Sequence, residues 1–165
     1  MRVLLSLLLL VGISSAAGAQ TIERIEITEV GIFKTQTTKV NSAPGTPTGT
    51  FEEVTDVKLL QATTTVPARV GVGVDFGFGY KIVGQTGSKV RLKFVTLIPQ
   101  PGIRNPNSGN TIVRSEYFEE KIVGSTSYTI YGLDNPWEIV IGTWTLEIWE
   151  DNRKLASQSF NIVAP

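Results

Sequence analysis

The chain carries 15 acidic residues but no His and no Cys, so carboxylates are the side chains left for catalysis. Ser-His-Asp and Cys-His nucleophiles are excluded, as are most zinc, copper and haem sites. A carboxylate hydrolase needs two acids ~5–9.5 Å apart. Glu52-Glu53 and Glu119-Glu120 are neighbours on predicted strands, where successive side chains point to opposite faces, so neither doublet can act as a pair. Asp134 and Glu138 share one connection and can converge. No D-x-D-x-D-G run marks a calcium loop, and no metal or other cofactor is expected.

The most patterned stretch is "VGVGVDFGFGYKI", residues 70–82. Its glycines are spaced G-x-G-x-x-x-G, and no helical pattern follows, so the phosphate-binding fingerprint is not met. Asp75-Phe76-Gly77 resembles a kinase triplet without the His that a catalytic loop of that kind needs. The alternation instead predicts a core strand, with Val70, Val72, Val74, Phe76, Phe78, Tyr80 and Ile82 inward. Gly71, Gly73, Gly77 and Gly79 leave the other face bare. Glycines in a strand cost roughly 0.5–1 kcal/mol each against Ala, so another backbone is expected close over that face. Residues 34–50 are the expected cover, and a partner's segment the alternative.

Nearly every other apolar stretch also has period two, which predicts an all-β domain. Eight strands are read. The first is Ile22 to Phe33, with a bulge near Glu29–Gly31 because its inward positions move from Ile25 and Ile27 to Val30 and Ile32. Residues 34–50 are Thr-rich, with an edge strand followed by a loop from Asn41 to Thr50. Phe51 to Val66, residues 70–82, Lys89 to Ile98, Thr111 to Val123, Ser125 to Tyr131, Thr143 to Glu150 and Lys154 to Val163 follow. Residues 99–110 and 133–142 are connections. Such a series implies an antiparallel β-sandwich.

Residues 70–82 and 89–98 also read as a hairpin long enough to cross a bilayer, with one apolar face each. A single-chain barrel is disfavoured by the fifth strand, where Arg114, Glu116 and Glu120 share a face with Ile112, Phe118 and Ile122. A hairpin that inserts into membranes is kept as an alternative.

At the N-terminus, Arg2, the apolar run Val3 to Ile13 and the small residues ending Ala17-Gly18-Ala19 predict a secretory signal peptide cut before Gln20. The run is short of the ~20 residues that span a bilayer. The domains are therefore 1–19, signal peptide, and 20–165, a single sandwich. No Cys follows the run, which excludes a lipid anchor, and a secreted chain without Cys fits a bacterial envelope. With 15 basic and 15 acidic residues and no basic run, neither nucleic acid nor anionic lipid is expected as the main partner.

"WEIVIGTWTLEIWEDNRKLASQSFNIV", residues 137–163, resembles a family of small secreted bacterial proteins known as a domain of unknown function. The resemblance extends through "TVPARVGVGVDFGFGYKIVG" and "IPQPGIRNPNSG". It implies an immunoglobulin-like sandwich of about seven to eight strands, and brings no activity, cofactor or catalytic residue.

If all strands run antiparallel, the 99–110 and 133–142 connections share one end of the sandwich with the Pro67 corner. That end gathers Arg104, Asn105, Asp134, Trp137 and Glu138, with Arg69, Asn107 and Asn135 beside them. Loop clusters of this kind are recognition surfaces. A Trp among Asn and carboxylates suits a sugar or a peptide, although Trp137 could equally cap the core. Trp149 is expected to point outward, as a contact residue or packed at a sheet edge. The sequence thus favours a periplasmic or secreted, non-enzymatic binding module for an envelope protein, peptide or glycan. A carboxylate-based hydrolase using Asp134 and Glu138 is the enzymatic alternative.

Overall fold

The structure, a computed structural model, describes residues 21–69 and 74–164. The strands in chain order are β1 (Ile22–Ser42), β2 (Thr50–Gln61), β3 (Thr65–Pro67), β4 (Asp75–Gly84), β5 (Lys89–Leu97) and β6 (Ile103–Arg104). They continue with β7 (Thr111–Ile112), β8 (Arg114–Ile122), β9 (Thr126–Gly132), β10 (Gly142–Glu150) and β11 (Arg153–Val163). A single turn of 3-10 helix, Pro136–Glu138, lies between β9 and β10. The strands form one sheet in the order β2-β1-β4-β9, a second in the order β3-β11-β10-β5-β8, and a small β6-β7 ribbon.

The period-two pattern becomes the core. Phe76, Phe78, Tyr80 and Ile82 of β4 are fully buried against Leu92 and Phe94 of β5, Trp144, Leu146 and Ile148 of β10, and Phe160 and Ile162 of β11. Phe76 meets the Phe160 ring at 5.2 Å and the Trp144 ring at 5.8 Å, both edge to face. The Trp144 indole is satisfied by donating to the Val140 carbonyl at 2.8 Å. Each such side chain contributes about 1.5–3 kcal/mol by leaving water. The bulge expected in β1 lies slightly earlier, where the pairing with β4 shifts between Ile27 and Glu29. Its effect is the expected one, since Ile25 pairs with Ile82 before it and Val30 with Phe78 after it. Ile27 still remains exposed.

Several expectations are corrected. Phe51 to Val66 is not one strand: β2 ends at Gln61, and β3 joins the other sheet, parallel to β11. The strands are therefore not all antiparallel. β4 and β5 are consecutive but lie in opposite sheets, so residues 75–97 form no β-hairpin of paired strands and the membrane-hairpin reading loses its basis. Residues 99–110 are not wholly irregular, because Ile103 and Arg104 pair with Ile112 and Thr111. With the short β3, β6 and β7 the strand count exceeds eight.

The largest correction concerns residues 34–50. β1 does not stop at Phe33; it runs to Ser42 and pairs with β2 from Ile32↔Gln61 to Ser42↔Thr50. Beyond its last partner on β4, the Phe33↔Asp75 pair, β1 thus continues with β2 as a two-stranded arm. The stretch read as a loop is its tip, closed by hydrogen bonds from Ala43 N to Gly49 O (2.8 Å) and from the Thr46 hydroxyl to Ala43 O and Thr50 O.

The arm does not cover the glycine face at Gly77 or Gly79. A Cβ on Gly77 would lie 2.1 Å from the Thr129 carbonyl oxygen of β9, and one on Gly79 within 2.8 Å of the Thr28 hydroxyl. The close approach comes from neighbouring strands of the same sheet. Gly71 and Gly73, with Val70 and Val72, lie outside the described residues, as do residues 1–19, for which a signal peptide is expected.

Candidate functional site

The far half of the arm is fastened to the open side of the sandwich. Phe51 of β2 stacks on Tyr117 of β8 (ring centroids 4.6 Å), and Tyr117 stacks in turn on Phe94 (5.3 Å). The Gly45 carbonyl accepts from Glu116 N at 3.1 Å, which occupies one position on the outer edge of β8. The Pro47 carbonyl accepts from Asn105 Nδ2 at 2.7 Å. Asn105 is itself fixed, since its Oδ1 accepts from Asn107 N (2.8 Å) and Ser108 N (3.3 Å).

Between this arm and the sandwich edge lies a groove of about 1100 Å³. The arm contributes Phe33, Thr35 and Glu52; β9 contributes Ser127 to Gly132; and the segment after it contributes Asp134, Asn135 and Glu138. β8 closes the other side with Tyr117, Glu119 and Lys121. Glu119 and Lys121 form an ion pair at 2.8 Å.

One end of the groove is acidic. Asp75 Oδ1 and Asp134 Oδ2 each lie 3.0 Å from the place where a Cβ on Gly132 would be. Burial pushes the Asp75 carboxyl above the usual carboxylate range; the Thr35 hydroxyl, donating to Asp75 Oδ2 at 2.6 Å, opposes this, and the Glu52 charge adds to it. Asp134 is exposed, yet partial desolvation also pushes it up, reinforced by the Asp75 and Glu52 charges. Glu138 is buried at 2 % exposure and is likewise raised by burial, against the hydrogen bonds it receives. It accepts from Asn135 N (2.9 Å), Asn135 Nδ2 (2.8 Å) and Tyr131 Oη (3.1 Å). These bonds make it the strut of the 3-10 turn, which holds Asp134 and Asn135 at the groove.

The residues singled out in the sequence therefore divide. Asp134, Asn135 and Glu138 line the groove. Asn105 holds the arm tip. Arg104 is exposed on β6 and Trp137 is half-buried against the core; neither lines the groove. Asp134 has Asp75 beside it, a residue hidden in the sequence by its place in a core strand. Thr35 falls in the segment expected to be an edge strand and loop, although the β-branched run "TQTTKV" signals a strand; Phe51 and Glu52 fall in the expected second strand, where nothing in the sequence points to the groove. Trp149 sits on the outer face of the second sheet and is engaged by its own chain. Its indole donates to Glu147 Oε2 at 2.8 Å, and Lys93 and Lys154 lie 5.4 and 5.3 Å from its ring.

Residues 22–162 match the model of the family described as a domain of unknown function, DUF3859. The chain belongs to this family. Among solved structures, this DUF3859 chain is similar to an immunoglobulin-like protein from Pseudomonas aeruginosa, with 25% identity and a TM-score of 0.58. The match covers 91% of this chain and 100% of that one. The immunoglobulin-like sandwich expected for the family is therefore the fold observed, and such a fold is compatible with a binding role. An alkylpurine DNA glycosylase from Pseudomonas fluorescens matches at 7% identity and a TM-score of 0.40, over 86% of this chain and 31% of that one. That likeness carries no argument. None of the curated proteins matches the chain.

Proposed function

We propose that this DUF3859 chain is an extracytoplasmic binding module whose ligand enters the groove between the arm and the sandwich. The observation that carries the reading is the fastening of the arm. Phe51, Gly45 and Pro47 are each tied to the sandwich side, yet the space beneath stays open at about 1100 Å³. A two-stranded ribbon alone is marginally stable, so a recess held open by one needs these anchors. The signal read from Arg2 to Ala19 supports a periplasmic or secreted location, and hence an envelope protein, peptide or glycan as ligand. The acidic lining disfavours nucleic acid.

The test is capture from the envelope fraction of the host, with mass spectrometry of what is retained. Asp134→Trp, which fills the mouth of the groove, should abolish capture without loss of fold. Equal capture by the variant sinks the groove as the site.

A carboxylate-based hydrolase is the second reading, favoured by the approach of Asp75 to Asp134. A working acid–base pair has environments that push its two pKa values apart. Here desolvation raises both, which favours binding. Release of new sugar or peptide ends from envelope material, lost in both Asp75→Asn and Asp134→Asn, would reverse that preference.

A further inference from the structure

The six residues Ser127 to Gly132 of β9 all line the groove. Side chains of a strand alternate between faces, so consecutive residues share one cavity only where the edge of the strand faces it. β9 pairs with β4 on one side, and among the described residues no strand pairs with it on the other.

The direction of its free groups follows from Gly77. The Thr129 carbonyl comes within 2.1 Å of a Cβ built there, so it points toward β4. In an antiparallel ladder the bonding direction alternates from residue to residue. The N–H and C=O groups of Tyr128 and Ile130 therefore point into the groove. The second sheet's edge differs: on β8, the Gly45 carbonyl of the arm already takes Glu116 N. An open edge is a template for another strand. The arm leaves this one accessible only from within a recess, which admits a single extended chain more readily than another sheet.

The charge of the recess selects that chain. Its lining carries seven carboxylates and two lysines, Lys34 and Lys121, and Lys121 is already paired with Glu119. Asp75 and Gly132 are cross-strand partners, so the Asp75–Asp134 end flanks the last residue of the open edge. A strand added along β9 would present alternate side chains to that end.

We propose that the groove binds an extended, basic peptide segment as an additional strand on β9, hydrogen-bonded to the backbone of Tyr128 and Ile130, with its Lys or Arg side chains on Asp75, Asp134 and Glu52. The inference rests on the groove reading above and names the class of its ligand.

The experiment uses the purified chain and unstructured heptapeptides that alternate Lys or Arg with Thr or Val. Amide exchange is followed by NMR at millimolar peptide. The expected result is at least tenfold slower exchange at Tyr128 and Ile130, weakened by salt. The effect should be absent with peptides carrying Glu in place of the basic residues, and with peptides N-methylated on the edge that bonds β9. Chemical-shift changes in the groove without slowed exchange at these two amides overturn the added strand but leave the groove reading standing. Slowed exchange that grows with protein concentration alone assigns the edge to a second copy of the chain and overturns the peptide. No change with any peptide overturns the inference; if envelope capture is also unaffected by Asp134→Trp, the groove reading falls with it.

Discussion

Asp75 Oδ1 and Asp134 Oδ2 flank the same bare Cα, that of Gly132, each 3.0 Å from where its side chain would begin. A carboxylate from β4 and one from the connection after β9 are thus brought together by a residue that supplies no side chain. Asp75 starts β4, Gly132 ends β9 and is its cross-strand partner, and Asp134 lies two residues on. Desolvation, the Asp75 charge and the Glu52 charge together raise Asp134.

That arrangement fixes the sign of a pH effect. A carboxyl whose pKa is higher in the folded than in the unfolded chain favours folding when protonated. Its penalty is absent below the unfolded value and grows as pH rises through the folded one. Asp134→Asn should therefore raise the melting temperature at pH 7.5, and the gain should vanish as pH falls below about 4, where the unfolded carboxyl is itself protonated. A melting temperature lowered at pH 7.5 would contradict the repulsion.

In the core, Phe76 has no exposed surface and touches Trp144, Phe160 and Tyr131. Phe76→Ala should cost about 3–5 kcal/mol in denaturant unfolding, through lost transfer energy and the cavity left behind. A variant that melts like the wild type would overturn the inward assignment of β4.

Gly77 is a different case, because the obstacle is backbone. Its Cβ would meet the Thr129 carbonyl oxygen at 2.1 Å and the Ile130 Cα at 2.8 Å, and neither can rotate away. Gly77→Ala should cost about 1–3 kcal/mol by overpacking. Gly87, on a turn with none of the described residues within 4 Å of its Cβ, is not crowded in this way, although its φ of 87° adds strain for any other residue.

Tyr80 is fully buried, and among the described residues its hydroxyl has no partner that meets hydrogen-bond geometry. Burial pushes the phenol well up, while the nearby Ser127 hydroxyl acts in the opposite sense. An unpaired buried hydroxyl carries a desolvation cost of about 1–3 kcal/mol. Tyr80→Phe should therefore be neutral or more stable in urea unfolding. A clear loss of stability would mean that Ser127 is a true partner.

The sandwich was legible in the sequence because its core strands have one buried face, and a period of two reports that directly. What was hidden depends on tertiary partners. Lys34 to Thr50 carries little apolar content, since the arm is stabilised by Phe51 on Tyr117 and by backbone bonds to distant residues. Asp134 and Glu138 were visible as acids on one connection. Asp75 was not, because nothing in "VDFG" says which cross-strand neighbour is a glycine. The opposite-sheet placement of β4 and β5 was equally hidden. The turn between them, "GQTGS", is short enough for a hairpin and also serves as a crossing between sheets.

The arm supplies the last prediction. Among the described residues its far half pairs with no strand beyond β1 and β2, so its position depends on a few contacts, the Phe51–Tyr117 stack among them. Such a ring pair is worth about 0.5–1.5 kcal/mol beyond its buried area. Removing it should release the arm without unfolding the sandwich, because Tyr117 keeps its second stack on Phe94. In Phe51→Ala, the Glu116 amide, which donates to Gly45, should exchange at least tenfold faster. The amides of Phe78 and Ile148, in the two sheet interiors, should keep their protection. The melting transition should stay cooperative. If Glu116 and Phe78 lose protection together, the arm is part of the folding unit of the sandwich, and the groove is a feature of the core fold rather than a space framed by a separable strap.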